Sequence, residues 1–524
     1  MKIVIADDLP ASAADLLRAE GWTVDATPGR PVEQLKADLA DADAIMVRSA
    51  TKVTAELIDA APKLRVIARA GTGVDNVDVK AASARGIVVM NAPGANSISV
   101  AELAVGQILS LARHIPRADA TMKQGKWDKK SFMGEEIRDK VLGLAGLGRI
   151  GQEVARRVAP FGMRVIAHDP FISAQVASDL GVELVSLDDL FAKADYVSLH
   201  MPSTVQTKGM VNAALLAKAK KGIRIVNTAR GDLIDEGALA DAIEAGQVAG
   251  AALDVFQKEP TVDQRLQLLP QVVASPHIAA STREAQELAG SETTTALRDC
   301  LRDGIIRNAV NFASVSPEEH ARMAPFMSLG ERLGSVLAQL TTDRIESVAV
   351  RYYGEALGKT DLIVSAVLVG LFKQILSTGV SAVNAKAVAQ ERGIEVVESQ
   401  STRARDYTRL LSVKVKTSAG EHWVEGAVFD KAAPRLVLID GVPVEAVLEG
   451  SMIVLSNTDQ PGVIGEVGTV LGKKGINIGT FALGRDGKQA VGVVSIDETK
   501  PVEESLLAEL RALPAVKTAR LVRV

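Results

Sequence analysis

The chain has 524 residues, 47% of them hydrophobic, and a formal net charge of −4. That length exceeds a single core and predicts about three or four domains, while the charge leaves no basic field for nucleic acid or an anionic membrane. The one cysteine, Cys300, excludes an intrachain disulfide framework and a cysteine-built metal cluster, so a buried thiol, a reducing cytoplasm and no metal centre are expected.

Met1-Lys-Ile-Val-Ile begins directly as a strand, without a charged segment followed by a long apolar run, so no signal peptide is expected. From residue 2 to about 91, strand-like runs at 3–6, 44–48, 65–69 and 87–90 alternate with helical patterns. Such alternation predicts a parallel sheet with helices on its faces. Residues 99 to about 117 read as a helix, with Ser97 or Ser99 available as cap and Glu102 able to close a capping box.

Between Leu142 and Asp169 an apolar strand runs into Gly146-Leu-Gly148-Arg-Ile-Gly151, then a helical segment, then Arg-Val-Ile-Ala-His-Asp169. Gly146 allows a tight turn, Gly148 lets the backbone approach a pyrophosphate, and Gly151 lets the helix pack close to the strand. The free amides and positive dipole end of that helix attract phosphate without a lysine. Asp169 stands where a carboxylate accepts hydrogen bonds from the adenosine ribose and repels a 2′-phosphate, which favours NAD over NADP.

Further strands are predicted near 196–200, 223–227, 249–254 and 272–274, then a long helix over 281–302 and a connector at 306–311. Around Ser314-Val-Ser-Pro the character changes. Helices at 317–340 and 361–377 precede strands at 408–416, 422–429 and 435–439, which argues a separate α+β domain. The most apolar helix, 362–376, is interrupted by Lys373 and is too short to span a bilayer, so it reads as a core helix. The last unit has strands at 453–456, 476–483, 490–497 and 516–522 and helices at 463–473 and 502–510, the βαββαβ ferredoxin-like pattern.

Dinucleotide-linked oxidation of an alcohol needs a group to take the hydroxyl proton and a cation to hold the substrate. Six histidines are available. His114 and His168 fall in or beside predicted structural elements, and His320 and His422 belong to the later domains. His200 and His277 each follow a strand, where loops line the ligand crevice of a parallel sheet. Glu259 also follows a strand; meeting His277, its carboxylate fixes the ring's tautomer and favours the imidazolium. Arg230, in Asn227-Thr-Ala-Arg-Gly, carries a planar fork suited to two-pronged contact with a carboxylate.

Gly146-Leu-Gly-Arg-Ile-Gly, Asn227-Thr-Ala-Arg-Gly, Leu253-Asp-Val-Phe-Gln-Lys-Glu-Pro and Ser275-Pro-His-Ile-Ala-Ala-Ser together resemble the D-2-hydroxyacid dehydrogenases, with Arg230, Glu259 and His277 at that family's catalytic positions. The whole chain is similar to the family's long members, which oxidise 3-phosphoglycerate to 3-phosphohydroxypyruvate and end in an ACT domain. The resemblance implies four domains: a flavodoxin-like substrate domain (1–96 and 281–311) and, nested in it, a Rossmann-type NAD domain (97–280); both are doubly wound parallel sheets. An α+β intervening domain (315–450) and a ferredoxin-like ACT domain (452–524) follow. It implies cofactor contacts from Thr72, Gly146, Gly148, Arg149, Ile150, Gly151, Asp169, Met201, Thr228, Ala229, Arg230 and Asp254, and from His277, Ile278, Ala279 and Ala280. Asp254 is expected to accept from the carboxamide. Substrate contacts are implied for Arg48, Arg69, Gly71, Thr72, Gly73, Asn96, Arg230 and His277, with amides of the Gly71–Gly73 loop forming an anion nest. Ala50 replaces an arginine present in some relatives, and Lys129 or Lys130, beside Trp127, is a candidate replacement from a neighbouring subunit.

In the last unit Asp459, Asn477 and the helix start at Gly462 could hold a small amino acid by its ammonium and carboxylate. The resemblance implies L-serine as effector and a homotetramer with two kinds of two-fold interface; Asn457 departs from the aromatic residue or histidine of many relatives. Two other readings stand beside this one: a hydroxypyruvate or glyoxylate reductase of the same family, and a non-catalytic dinucleotide-sensing regulator.

Overall fold

The computed structural model describes residues 1–261, 265–355, 358–376, 379–403, 405–429, 434–487, 489–497 and 502–524. Uninterrupted apolar runs suit strands covered on both faces, and the N-terminal ones form the centre of a parallel sheet. Its strands are β1 (Lys2–Ile5), β2 (Thr23–Ala26), β3 (Ala44–Val47), β4 (Val66–Arg69) and β5 (Val88–Met90), in the order β2-β1-β3-β4-β5. The unforeseen strand is β2, an edge strand whose single valine gives little apolar signal. The chain returns to this sheet late. Helix Arg283–Asp303 lays Ala296, Leu297, Cys300 and Leu301 against Ile3, Ile5 and Met46, and Met90 bridges to Ala309. Burial pushes the Cys300 thiol up to about 11, away from thiolate chemistry.

The second sheet contains β6 (Val141–Ala145), β7 (Arg164–His168), β8 (Glu183–Leu184), β9 (Tyr196–Leu199), β10 (Ile223–Asn227), β11 (Val248–Leu253) and β12 (Val272–Ala274). All are parallel, ordered β12-β11-β10-β9-β6-β7-β8. The order reverses between β6 and β9, so the crevice at their C-terminal ends is the expected ligand site. The helix expected at 99–117 runs instead over Ser97–Arg113 and stops at His114, in the left-handed region at φ 55°, before a second helix, Ile115–Lys123. The capping box does not form. Ser99 is buried in the helix, 2.6 Å from Thr282 Oγ1, and Glu102 faces Arg157.

The third sheet is mixed, ordered β14-β13-β15-β16-β17-β18, with β13 (Ile345–Tyr353), β14 (Glu395–Ser401), β15 (Leu410–Thr417), β16 (Gly420–Ala427), β17 (Arg435–Ile439) and β18 (Val442–Val447). Helices Pro317–Leu340 and Asp361–Ile375 cover it, the first opened by a Ser316–Glu319 capping box. The simple order of helices then strands is corrected: β13 lies between the two helices and pairs with both β14 and β15. Ser377, the expected end of the second helix, lies outside the described residues.

The C-terminal unit forms an antiparallel sheet ordered β20-β21-β19-β22, from β19 (Ser451–Thr458), β20 (Asn477–Arg485), β21 (Gln489–Asp497) and β22 (Val516–Arg523). Helices Val463–Lys473 and Glu504–Arg511 cover one face. From the other face Met452, Val454, Val491, Val493 and Val522 enter the core of the third sheet's helices, so the last two units share one apolar cluster. Among the described residues, no single helix is long and apolar enough to cross a membrane.

Candidate active site

The glycine loop after β6 is shaped by what a side chain would strike. Gly146 has φ +100° and a Cβ there would collide with the His200 carbonyl; a Cβ on Gly151 would collide with the Gly146 carbonyl. Gly148 faces open space and starts helix Arg149–Val158, whose first amides have no side-chain cap. Asp169, just past β7, accepts from the Leu147 amide (2.8 Å) and from the Phe171 amide (2.9 Å). The carboxylate thus braces the loop it was expected to serve. Arg149 reaches toward Gly94, in the stretch leading into helix Ser97–Arg113.

Between the first two sheets lies a cleft of about 760 Å³. It is lined by Arg48, Arg69, Gly71, Thr72, Gly73 and Asn96 on one side and by Ile150, Met201, Thr228, Ala229, Arg230, Glu259, His277, Ala279 and Ala280 on the other. The predicted residues Gly146, Gly148, Arg149, Gly151, Asp169, Asp254 and Ile278 do not line it. His277 Nδ1 lies 2.7 Å from Glu259 Oε2, and Glu259 Oε1 accepts from the Phe256 amide (3.0 Å). One carboxylate oxygen is therefore fixed by backbone while the other orients the ring, leaving the His277 side chain 54% exposed to the cleft. His277 sits at φ 55°, on a turn that Asp254 organises. Asp254 is fully buried; its Oδ1 accepts from Ser275 Oγ (2.6 Å) and the Ile278 amide (2.9 Å), and its Oδ2 from the Ala279 amide (2.8 Å). In this geometry Asp254 positions the histidine's turn rather than reaching into the cleft as expected for a carboxamide contact.

Arg230 follows β10, where Asn227 clasps the loop by donating to the Arg230 carbonyl (2.8 Å) and accepting from the Ala229 amide (3.0 Å). Its Nη1 donates to the Ala229 carbonyl (2.7 Å) and its Nη2 pairs with Asp75 (3.1 Å). Opposite, Asn76 donates to the carbonyls of Arg48 (2.7 Å) and Thr51 (2.6 Å) and accepts from Arg69 Nε (3.0 Å). Burial holds the Arg69 guanidinium below its ordinary range; Asp75 opposes this, and Arg230 and Arg48 reinforce it. Thr72 Oγ1 lies 2.7 Å from Asn96 Oδ1. Asp7 accepts from the amides of Arg48 (2.6 Å) and Thr51 (3.2 Å) and so shapes the loop that contains Ala50. Asp7, Asp75 and Asn76 were not singled out from the sequence. Lys129 and Lys130 lie at the surface with Trp127, away from the cleft.

His200 differs from His277. It is partly buried on the cleft wall, its Nε2 lies 2.9 Å from Ser198 Oγ, and its Nδ1, shielded from solvent, has no partner among the described residues. Burial pushes its pKa down to about 4. Thr228 Oγ1 is a second buried polar atom on the cleft wall without a partner among the described residues.

The two residues expected to hold an effector are not brought together within one chain. The register pairs Thr458 with Gln489 and Arg485 with Ala490, but Asn477 with Asp497, so Asp459 and Asn477 lie at opposite ends of the sheet. Asp459 instead faces Arg485 at 3.7 Å, and Asn457 is buried, donating to the Thr458 carbonyl.

Three families match in sequence order: the D-isomer specific 2-hydroxyacid dehydrogenase NAD binding domain at residues 105–279, the D-3-phosphoglycerate dehydrogenase intervening domain at 322–440, and the ACT domain at 451–515. The chain is 42% identical over 530 residues to a D-3-phosphoglycerate dehydrogenase of Archaeoglobus fulgidus, covering 100% of both chains. With that of Bacillus subtilis the identity is 37% over 499 residues, covering 94% of this chain and 95% of the relative. Among solved structures, a glyoxylate reductase from Paecilomyes thermophila matches with TM-score 0.55 and 31% identity over 61% of this chain and 99% of its own. A D-lactate dehydrogenase from Aquifex aeolicus, complexed with NAD and lactic acid, matches with TM-score 0.52 and 26% identity over 60% of this chain and 100% of its own.

Proposed function

The chain belongs to the D-3-phosphoglycerate dehydrogenases, within the D-isomer specific 2-hydroxyacid dehydrogenase family, and on that premise we propose which residues carry its reaction. The reaction is the NAD-dependent oxidation of 3-phospho-D-glycerate to 3-phosphohydroxypyruvate, the first step of L-serine biosynthesis. The residues on hand fit NAD: the uncapped helix start at Gly148 for the pyrophosphate, the Asp169 carboxylate for the ribose, and the unpartnered Thr228 hydroxyl on the cleft wall. Bound NAD supplies the hydride acceptor. His277 takes the proton of the C2 hydroxyl, Glu259 stabilises the imidazolium that results, and Arg230 grips the substrate carboxylate with its fork. Arg48 and Arg69 face the substrate from the opposite wall, beside the Gly71–Gly73 amides. The observation that carries this reading is the 2.7 Å contact between His277 and a carboxylate that backbone already holds in place.

The same reading divides the chain into a substrate domain (1–96 and 281–311), a nested NAD domain (97–280), an intervening domain (315–450) and an ACT domain (452–524). Packing of helix Arg283–Asp303 on the first sheet supports the nesting. L-serine is the effector, the assembly a homotetramer and the compartment the cytoplasm. Edge strands paired across a two-fold axis run antiparallel, and β20 is an edge. Such pairing sets the Asn477 end of one subunit against the Asp459 end of its partner, so one effector site uses both residues from two chains. The experiment is NADH formation from 3-phosphoglycerate, with the product removed, repeated with L-serine present. Turnover that is faster with unphosphorylated 2-hydroxy acids contradicts the substrate, and indifference to L-serine contradicts the effector.

A further inference from the structure

A substrate carboxylate can engage the Arg230 fork only where its nitrogens are free, and both Nη atoms are engaged: Nη1 on the Ala229 carbonyl and Nη2 on a carboxylate. Nη2 pairs with Asp75 at 3.1 Å. The pair spans the cleft, since Asp75 follows β4 in the first sheet whereas Arg230 follows β10 in the second. It also sits directly over Gly73, where a Cβ would collide with Arg230 Nη2 and lie 2.7 Å from Asp75 Oδ2. Gly73 is part of the loop whose amides face the substrate, so the Asp75 carboxylate occupies the space that a bound carboxylate needs.

Charge points the same way. Three arginines, Arg48, Arg69 and Arg230, line the cleft, and the repulsion among them reaches the half-buried Arg69. Asp75 opposes that repulsion. The other nearby carboxylates are engaged elsewhere: Asp7 on the amides of Arg48 and Thr51, Glu259 on His277 and the Phe256 amide. Asp75 is 72% exposed, and its pair with Arg230 is the contact that holds it. Such a contact is weak enough to yield to a ligand.

We propose that Asp75 is an internal stand-in for the substrate carboxylate: it holds the Arg230 fork across the cleft and is displaced when substrate binds. It is a positioning residue that touches Arg230, not the reacting atoms. A ligand without a carboxylate cannot replace it at Arg230 and leaves the fork occupied, which makes Asp75 a filter for 2-hydroxy acids over other phosphorylated alcohols. This rests on the assignment of Arg230 given above.

Asp75→Asn keeps the shape and removes the charge. With the competitor gone, KM for 3-phosphoglycerate should fall about two- to fivefold, the range of an exposed ion pair, with kcat altered less and KM for NAD unmoved. Titration calorimetry with oxalate, a bare dicarboxylate, tests the displacement without relying on the identity of the substrate: the variant should bind it more tightly by a similar factor. Asp75→Glu, which restores the charge, should bring both values back toward wild type. Unchanged or weaker oxalate binding by Asp75→Asn overturns the stand-in. Failure of the wild type to oxidise 3-phosphoglycerate overturns the substrate assignment and leaves the oxalate result as the measure of Asp75.

Discussion

Two strand-end loops of the NAD-binding sheet bring a histidine to the same cleft, and their surroundings separate them. His277 is 54% exposed and has a carboxylate at 2.7 Å; His200 is partly buried, with a shielded ring nitrogen that no other described residue meets. Desolvation of its ring keeps His200 neutral, whereas a carboxylate held by backbone orients the exposed ring of His277 toward the cleft. Position at the end of a parallel strand is thus shared by both. What qualifies a histidine as a base here is the third group that orients it.

The comparison breaks first at that third group. Glu259→Gln keeps a hydrogen-bond acceptor but removes the charge opposite the imidazolium, and a charged hydrogen bond contributes about 1.5–3 kcal/mol, so kcat should fall roughly ten- to a hundredfold. Steady-state rates with saturating 3-phosphoglycerate check this, and wild-type turnover would reduce Glu259 to a bystander. The next effect concerns a carboxylate that serves backbone and ligand together. Asp169→Ala removes the acceptor for the Leu147 amide along with the proposed ribose contact, and preference for NAD over NADP should narrow by about tenfold, the value of one or two hydrogen bonds. Comparison of kcat/KM for the two cofactors measures it; an unaltered ratio places discrimination elsewhere.

A third effect is on stability and belongs to His200. Its pKa in the fold is about 4 against an ordinary 6.5, so the stabilisation from keeping it neutral is present above pH 6.5 and is lost as pH falls toward 4. Within that window each pH unit costs up to about 1.4 kcal/mol. Thermal unfolding from pH 7 to pH 4.5 should show a slope in the wild type that His200→Asn flattens. Parallel curves would mean that His200 takes up a proton without penalty.

Much of the cleft was legible because its parts sit where a parallel sheet must expose loops. Arg230, Glu259 and His277 each follow a strand whose apolar run is visible in the sequence, as does the Gly146 loop, which brings Ile150 to the cleft, and local pattern placed them. Contacts between distant segments were not legible. Asp75 and Asn76 drew no expectation because their partners, Arg230 and the Arg48–Thr51 loop, come from distant segments, and Asp254, expected to reach a carboxamide, instead accepts from the Ser275–Ala279 turn folded onto it. The βαββαβ unit was recognised from its own periodicity. Its register, which sends Asp459 and Asn477 to opposite ends, and its burial against the third sheet's helices depend on partners that periodicity does not identify. Ser99 shows the limit at short range: a serine near a helix start was expected to cap it, and tertiary packing buried it instead.

The central claim is that His277 takes the substrate's hydroxyl proton. It is tested most directly by following NADH in a single turnover with His277→Ala, alongside calorimetric binding of 3-phosphoglycerate to the same protein. With the base removed, NADH formation should slow by about a hundredfold or more, the scale of a positioned acid–base group, with binding weakened far less. A single-turnover rate near wild type, or a loss of binding as large as the loss of rate, would contradict it.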